Sequence, residues 1–190
     1  MRHKRNDQEL AVRRLSSADL EGICGHFRRL DAGSRRARFC GTVSDNGITK
    51  YALSIFRYDS LVCGAFIDGQ LRGVAELRGV LHFWPSTTEA AFSVEPDWQN
   101  IGIGDALFER LISMARNRSV RSIRLMCLKE NSLMRHLAVK HNAQLHLDQD
   151  AVEAVLYPYW PTPASVAAEF IGETMRITHL FLDERSLVQP

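Results

Sequence analysis

The sequence predicts an α/β domain whose mixed, mostly antiparallel sheet is flanked by helices. Two observations favour this fold class over one in which strands and helices alternate throughout. The dipeptide Asp68-Gly69 joins two strand-like runs and is a strong hairpin signal, which indicates antiparallel neighbours. Helices and strands alternate only after a glycine-rich loop at 99–104. The predicted order is a strand, two helices, three strands, a helix, a strand, a helix, two strands and a final helix.

The elements before that loop follow from apolar spacing and from turn residues. Ser16-Ser17 precedes apolar residues at helical spacing and is typical of a helix N-cap. Residues 31–41, "DAGSRRARFCG", lack such spacing, and we expect an irregular, arginine-rich connection there. The other predicted elements are a strand at 11–15, a helix from Ala18 to about Leu30, a helix that Ser44 or Asp45 caps and that continues to residue 56, and strands at 60–68, 71–83 and 88–96.

The elements after the loop alternate. Residues 104–117 form a helix whose apolar stripe (Ile103, Leu107, Leu111 and Met114) is expected to pack on the sheet. Residues 120–128 carry apolar side chains on both faces, which is typical of a central strand. A helix at 131–143, strands at 144–148 and 151–159, and a helix from Ala164 to about Phe181 complete the chain. We therefore expect a flexible lead-in at 1–9, one domain at 10–160 and a C-terminal helical extension at 161–190.

The composition excludes several classes of protein. The chain has 190 residues, 45% of them hydrophobic, and a net charge of +2, which is too small to indicate a nucleic-acid partner. No apolar stretch follows the basic start or reaches the length of a membrane span, so we expect neither a secretory signal nor a membrane partner. Arginines cluster at 13–14, 28–29 and 35–38, which we interpret as solvated faces or helix ends. The four cysteines form no CxxC pair, and free thiols in the cytoplasm are expected.

The loop at 99–104 has the glycine spacing of a phosphate-binding site. Gly102 and Gly104 lead directly into a helix, and backbone N–H groups at a helix N-terminus bind anions. A nucleoside-triphosphate loop is rejected because no glycine here is followed by Lys and then Ser or Thr. A dinucleotide loop is weakly supported, because its third glycine would fall at Leu107 and because it normally follows the first strand of a fold.

The loop and its neighbours resemble a known family. The loop "QNIGIG" resembles the Q/R-x-x-G-x-G/A loop of the GNAT acyltransferase superfamily, with Asn100 where glycine is frequent. The preceding "TEAAFSV" resembles the family's A-E-x-A-x-x-V strand, and "NSLMRHLAVK" resembles its N-x-x-M-x-x-L-x-x-K helix. The resemblance is strongest over 88–143, and the pattern is similar to that of bacterial protein-lysine acetyltransferase domains. It implies a GNAT-type sheet and acetyl-CoA as cofactor.

The resemblance also implies which residues bind coenzyme A. The backbone around Phe92 to Val94 would bind the pantetheine arm, the amides of Ile101 to Asp105 the pyrophosphate, and Asn131 the thiol end. The complete set of implied cofactor-binding residues is Phe92, Ser93, Val94, Gln99, Asn100, Ile101, Gly102, Ile103, Gly104, Asp105, Asn131, Met134 and Lys140.

The catalytic groups are less complete. Many family members carry a tyrosine acid on the last motif helix, and this sequence has Ala138 there. Glu89 is the candidate base, because a carboxylate at the start of an apolar strand is costly to bury without a role, and burial would raise its pKa. The competing interpretation is a solvated strand end or an ion pair with an arginine.

Other chemistries find less support in the sequence. His136, His141 and His146 have no carboxylate or cysteine companion at metal-ligand spacing, and no metal is expected. Ser93 lacks the GxSxG elbow of hydrolases, and Cys127 lies in a central strand. We therefore expect acetyl transfer to an amine, either a protein lysine or a small molecule, by direct attack in a ternary complex. Ala138 keeps open a catalytically weak module that binds coenzyme A, and a homodimer also remains open.

Overall fold

The structure, a computed structural model, describes residues 9–80, 87–148 and 151–169. The strands are β1 (Leu10–Arg14), β2 (Ser60–Ile67), β3 (Gln70–Arg78), β4 (Thr87–Val94), β5 (Ser122–Leu128), β6 (Gln144–Leu147) and β7 (Ala151–Leu156). The helices are α1 (Leu20–Arg29), α2 (Ala32–Phe39), α3 (Asp45–Ser54), α4 (Ile103–Arg116), α5 (Ser132–Lys140) and α6, residues 163–169.

All seven strands form one sheet in the order β1-β2-β3-β4-β5-β7-β6. Every neighbouring pair is antiparallel except β4 and β5, which run parallel. The turn between β2 and β3 uses Asp68 and Gly69 with φ values of 50° and 76°, as a two-residue hairpin of primed type requires. The mixed, mostly antiparallel sheet expected from the sequence is confirmed.

Two apolar cores cover the two faces of the sheet. On one face α4 packs against β2 and β3, and the predicted stripe of Ile103, Leu107, Leu111 and Met114 is buried there. On the other face α1 and α3 pack around Phe27, which is fully buried. Because α4 is held tightly by this stripe, its N-terminus keeps a fixed position relative to the ends of β3 and β4.

The irregular connection expected at 31–41 is wrong, because most of it is the helix α2. The side chain of Asp31 accepts a hydrogen bond from the Ser34 amide at 2.7 Å and so caps the helix. Phe39 packs edge-on against Phe27 and Tyr51, and Cys40 ends the helix with a φ of 52°. The arginines give α2 a polar surface without an apolar stripe, which is why spacing did not reveal it.

Other boundaries differ from expectation only in detail. Ser44 is the residue that caps α3, since its hydroxyl accepts from the Gly47 amide. β5 is central in the sheet but is not buried on both faces, because Arg124 and Met126 are exposed on one of them. The C-terminal helix is described at 163–169, and the rest of its predicted range lies outside the described residues. So do the predicted lead-in, apart from residue 9, and residues 81–83 of the third strand.

Candidate functional site

The parallel strands β4 and β5 separate along their length. They pair over four residues, from Thr87 opposite Ser122 to Ala90 opposite Leu125. Beyond Ala90, β4 continues to pair with β3 as far as Val94, and β5 continues to pair with β7. A wedge-shaped cleft therefore opens between residues 91–94 and 126–128. The edge of β4 that faces this cleft presents backbone groups that an extended ligand could bind as an added strand would.

The cleft is part of a cavity of about 600 Å³. Its walls come from β4, β5, the loop at 99–104, the start of α4, α5 and α2. Of the predicted cofactor residues, those that line the cavity are Phe92, Ser93, Val94, Gln99, Asn100, Gly102, Gly104, Asp105, Asn131, Met134 and Lys140. Ile101, which is 41% exposed, and Ile103, which is buried in the core, are not among them.

Two residues of the loop have a left-handed backbone conformation. Asn100 and Gly102 have φ values of 60° and 93°, and Asn and Gly are the residues that adopt such values most readily. The Gln99 amide donates to the Val94 carbonyl at 3.1 Å and ties the loop to the end of β4. The first helical hydrogen bond runs from the Ala106 amide to the Gly102 carbonyl, so the amides of residues 103–105 precede it. Such unpaired amides make the start of α4 an anion site.

The two glycines serve different purposes. At Gly102 the positive φ disfavours any side chain, although a Cβ would have open space. At Gly104 a Cβ would make only an ordinary 3.5 Å contact with Leu137, so packing does not require glycine there. What glycine provides at 104 is unobstructed access from the cavity to the helix N-terminus.

Asp105 holds the next turn of the site together. Its carboxylate pairs with Lys140 at 2.7 Å and with His141 at 2.8 Å. The hydrogen bond from Lys140, aided by that from His141, lowers the pKa of Asp105. His141 stacks on Phe108, which stacks on Phe92 of β4. Lys140, a predicted cofactor-binding residue, is thus already paired with Asp105. An anion bound at the loop would compete with Asp105 for the Lys140 ammonium group.

The sequence analysis made predictions for Asn131, which precedes α5, and for Ala138 within it. Asn131 lines the cavity, and its side-chain oxygen caps α5 by accepting from the Met134 amide at 3.1 Å. Ala138, which stands where many family members carry tyrosine, is fully buried. Cys127 is buried in the cavity wall, and burial raises its pKa, so it remains a protonated thiol.

The side chain of Glu89 is exposed and does not line the cavity, which agrees with the competing interpretation of a solvated strand end. The register places Arg78 of β3 and Arg124 of β5 directly opposite it on the neighbouring strands. Alternation along β4 puts Glu89 on the same face of the sheet as Ala91, just beyond the closed end of the cleft. Its candidacy therefore rests on position and not on burial.

A buried hydrogen-bond network that the sequence did not predict fixes the end of β4. We call His26, Arg29, Arg72, Ser93 and Glu95 the His26 network. His26 Nε2 lies 2.8 Å from Ser93 Oγ, and His26 Nδ1 lies 3.3 Å from Glu95 Oε1. Two arginines donate to the same carboxylate, each at 2.8 Å. The network holds the Ser93 side chain toward α1, so this residue offers the cleft its backbone.

The charges of the His26 network are set by its surroundings. Burial lowers the pKa of His26 and outweighs the opposite effect of Glu95, so the imidazole is neutral at pH 7. Burial by itself would raise the pKa of Glu95, but hydrogen bonds from His26, Arg72 and Arg29 lower it instead. Neutral His26 can donate through one ring nitrogen to Glu95 and accept from Ser93 through the other.

We expect the His26 network to make stability depend on pH. His26 has a folded-state pKa below its ordinary value of 6.5, so the unfolded chain binds the proton first as the pH falls. The free energy of unfolding should therefore decrease between pH 7 and pH 5. Urea unfolding of the wild type and of His26→Gln across this range measures the effect, and the variant should show a flatter profile. The exposed His146→Gln serves as control and should keep the wild-type slope; equal slopes in all three proteins would contradict the assignment.

A second buried cluster was also missed. We call Arg38, Tyr51, Glu76 and Arg78 the Arg38 cluster. Glu76 on β3 is 1% exposed, and its carboxylate accepts from Arg38 NH2 at 2.9 Å, from Arg78 Nε at 2.5 Å and from the Tyr51 hydroxyl. Burial raises the pKa of Tyr51 to about 12, so the phenol stays protonated. Of the two interpretations of the arginines at 35–38, a helix end holds for Arg38, which lies in the last turn of α2, but a solvated face does not, because its side chain is 6% exposed.

The chain matches the acetyltransferase (GNAT) family over residues 34–142. Among solved structures it resembles the GNAT domain of S. lividans PAT (TM-score 0.69, 18% identity, 79% of this chain and 96% of that one). It also resembles yncA, a putative acetyltransferase from Salmonella typhimurium solved with acetyl-CoA (TM-score 0.63, 18% identity, 79% of this chain and 94% of that one). A third similar structure is spermidine N-acetyltransferase from Vibrio cholerae in complex with CoA and spermine (TM-score 0.64, 17% identity, 78% of this chain and 95% of that one). A comparison with curated protein sequences found no match.

These findings place the protein among the acyl-CoA-dependent N-acyltransferases, with acetyl-CoA as cosubstrate. The chain belongs to the GNAT family, and the matched segment runs from α2 through the cleft and the loop to the end of α5. In the part of the chain that the structure describes, no helix is long and apolar enough to cross a membrane. Within the same ranges no group of three potential metal ligands occurs.

Proposed function

We propose that the protein transfers the acetyl group of acetyl-CoA directly to an amine while both substrates are bound. The observation that carries this proposal is the cleft between β4 and β5, which is open at the loop and closed by strand pairing at Ala90 and Leu125. A pyrophosphate at the amides of residues 103–105 would direct the pantetheine arm along the free edge of β4. The arm would end at the closed end of the cleft, where the thioester would meet the acceptor.

The residues of this chain fit coenzyme A in three respects. The free β4 edge at residues 91–94 matches the amides of pantetheine, and the start of α4 matches an anion. Glycine at 104 leaves the approach unobstructed. Acetyl-CoA supplies an activated acetyl group whose thiolate leaves readily, since thiols have a pKa near 8.5. Water can therefore return the proton to the thiolate in the place of the tyrosine that Ala138 replaces.

The acceptor would reach the cleft from the face of the sheet that carries α2. Met126 is 53% exposed on that face, whereas α4 and its core cover the other. Glu89 lies on the open face beside the closed end, in a position to take a proton from the amine directly or through one water.

Replacing Glu89 with Gln should lower kcat by about 10²-fold if it is the base, with little change in the affinity for acetyl-CoA. Release of coenzyme A thiol with a panel of amines measures turnover. Glu153→Gln is a matched control, because Glu153 lies on β7 and pairs with Arg124 across 3.6 Å. Near-wild-type kcat in the Glu89 variant would remove this residue from the mechanism.

Initial rates at varied concentrations of both substrates test the order of events. Intersecting double-reciprocal lines are expected for a ternary complex, whereas parallel lines would indicate an acyl-enzyme.

Buried Ala138 favours one other function, a GNAT fold that binds coenzyme A and transfers little. Binding of acetyl-CoA without transfer to any amine would support that alternative. A homodimer, a cytoplasmic location and the absence of a nucleic-acid partner stay predictions; unpaired cysteines are consistent with that location.

A further inference from the structure

Arg38 carries a polar group that the fold leaves unused. Its NH2 group donates to Glu76 and to Tyr51, but its Nε is buried and has no hydrogen-bond partner among the described residues. A few other arginine Nε atoms share this property, yet of these arginines only Arg38 lines the cavity. A buried donor without a partner is unfavourable, and it becomes favourable when a ligand supplies the acceptor.

The position of Arg38 relates this donor to the reaction. Its partner Glu76 lies directly opposite Ala91 in the register of β3 and β4. Ala91 is the first residue of β4 beyond its pairing with β5, at the closed end of the cleft. The guanidinium thus lies over the point where the acceptor would meet the thioester, on the face of the sheet that the acceptor would enter.

The surrounding charges favour an anionic group at Arg38. Glu76 is occupied by Arg38, Arg78 and Tyr51 and is shielded from the cavity, since Arg38 lines the cavity and Glu76 does not. A ligand at this place therefore meets the side chain of Arg38, whose guanidinium Glu76 and Tyr51 hold in position. Guanidinium groups bind carboxylates with strong, directional, charge-assisted hydrogen bonds.

We propose that Arg38 binds the carboxylate of the acceptor, and hence that the acceptor is a free amino acid. This inference rests on the function proposed above. The amine of such an acceptor would point toward Glu89, two residues along β4 from Ala91, while its carboxylate faces Arg38. The two charges of an amino acid are thereby matched by two opposite charges on one face of the cleft.

Matched acceptor pairs test this inference. Each pair consists of an amino acid and the amine that remains when its carboxylate is removed, such as phenylalanine and phenethylamine, methionine and 3-(methylthio)propylamine, or lysine and cadaverine. We expect kcat/KM to be about 10- to 100-fold higher for the amino acid of the preferred pair, the factor typical of a hydrogen bond to a charged group. In Arg38→Met this preference should fall to about one through a higher KM for the amino acid. Arg36→Met, on the same helix, should retain it.

The experiment has outcomes that overturn the inference. The inference would be overturned if the enzyme acetylated both members of every pair with equal kcat/KM, or if it acetylated peptide lysines alone. An equal loss of kcat for both members in Arg38→Met would show that Arg38 acts on the thioester instead. Should that variant fail to fold, Arg38→Met combined with Glu76→Leu removes the charge pair together. Calorimetric binding of the pairs to the protein loaded with coenzyme A gives the same comparison without turnover, so failure of the proposed transfer reaction is distinguishable from failure of this inference.

Discussion

Gly104→Asp should bind acetyl-CoA about 10³-fold more weakly than the wild type while remaining folded. Residue 104 is the second residue of α4, where a carboxylate is compatible with the helix dipole, and a Cβ makes only an ordinary contact with Leu137. The new carboxylate would lie where we place the pyrophosphate. Two unit charges about 4 Å apart near a protein surface interact by about 4 kcal/mol, which corresponds to that factor. Calorimetry of coenzyme A binding measures it.

Gly104→Asn separates charge from size, because Asn and Asp have almost the same shape. We expect the Asn variant to lose about 10-fold or less, and we expect salt to narrow the gap between the two variants by screening the repulsion. If both variants lost the same affinity for coenzyme A, steric obstruction and not charge would be the cause. Wild-type affinity in both would show that the anion does not bind at the start of α4.

Local rules explain the conformation of this loop and the start of the helix after it. Positive φ at Asn100 and Gly102 is a property of those residue types, and the helix after them was visible in its apolar stripe. The strand before it, the hairpin at Asp68-Gly69 and the cap at Ser44 depend likewise on a few neighbouring residues. Each of these elements was predicted to within a few residues.

The two buried clusters could not be predicted in the same way, because their members come from distant parts of the chain. Glu95 meets His26 from 69 positions away, and Glu76 meets Arg38 from 38 positions away. A usable signal did exist: Glu76 interrupts the apolar run of β3, and a carboxylate there needs a partner. Glu89 also follows an apolar pattern, but it lies at the exposed start of β4, where a carboxylate remains solvated. Glu76, in the middle of β3, is buried and needs a partner.

Glu76→Leu should lower the free energy of unfolding by about 3–5 kcal/mol. The substitution leaves Arg38 buried without its anion, and breaking one side of a buried ion pair has a cost of that size. Urea unfolding provides the measurement. Glu153→Leu is the matched control, since it removes a strand carboxylate from an ion pair whose arginine is exposed and whose carboxylate is partly exposed, and it should change stability by at most about 1 kcal/mol. A Glu76 variant no less stable than this control would show that Arg38 is solvated in solution.

The double variant Arg38→Met, Glu76→Leu tests whether the Arg38 cluster contributes to stability or to acceptor binding. Apolar replacement of a whole buried pair is often neutral for stability, so the double variant should recover most of the loss seen in Glu76→Leu. A cluster that can be removed at little cost in stability is retained for another reason. If the double variant is as stable as the wild type and no longer prefers amino acids over their amines, the buried carboxylate serves to hold Arg38 in place for the acceptor. Full recovery of stability with an unchanged preference would instead leave the cluster without a role in acceptor binding.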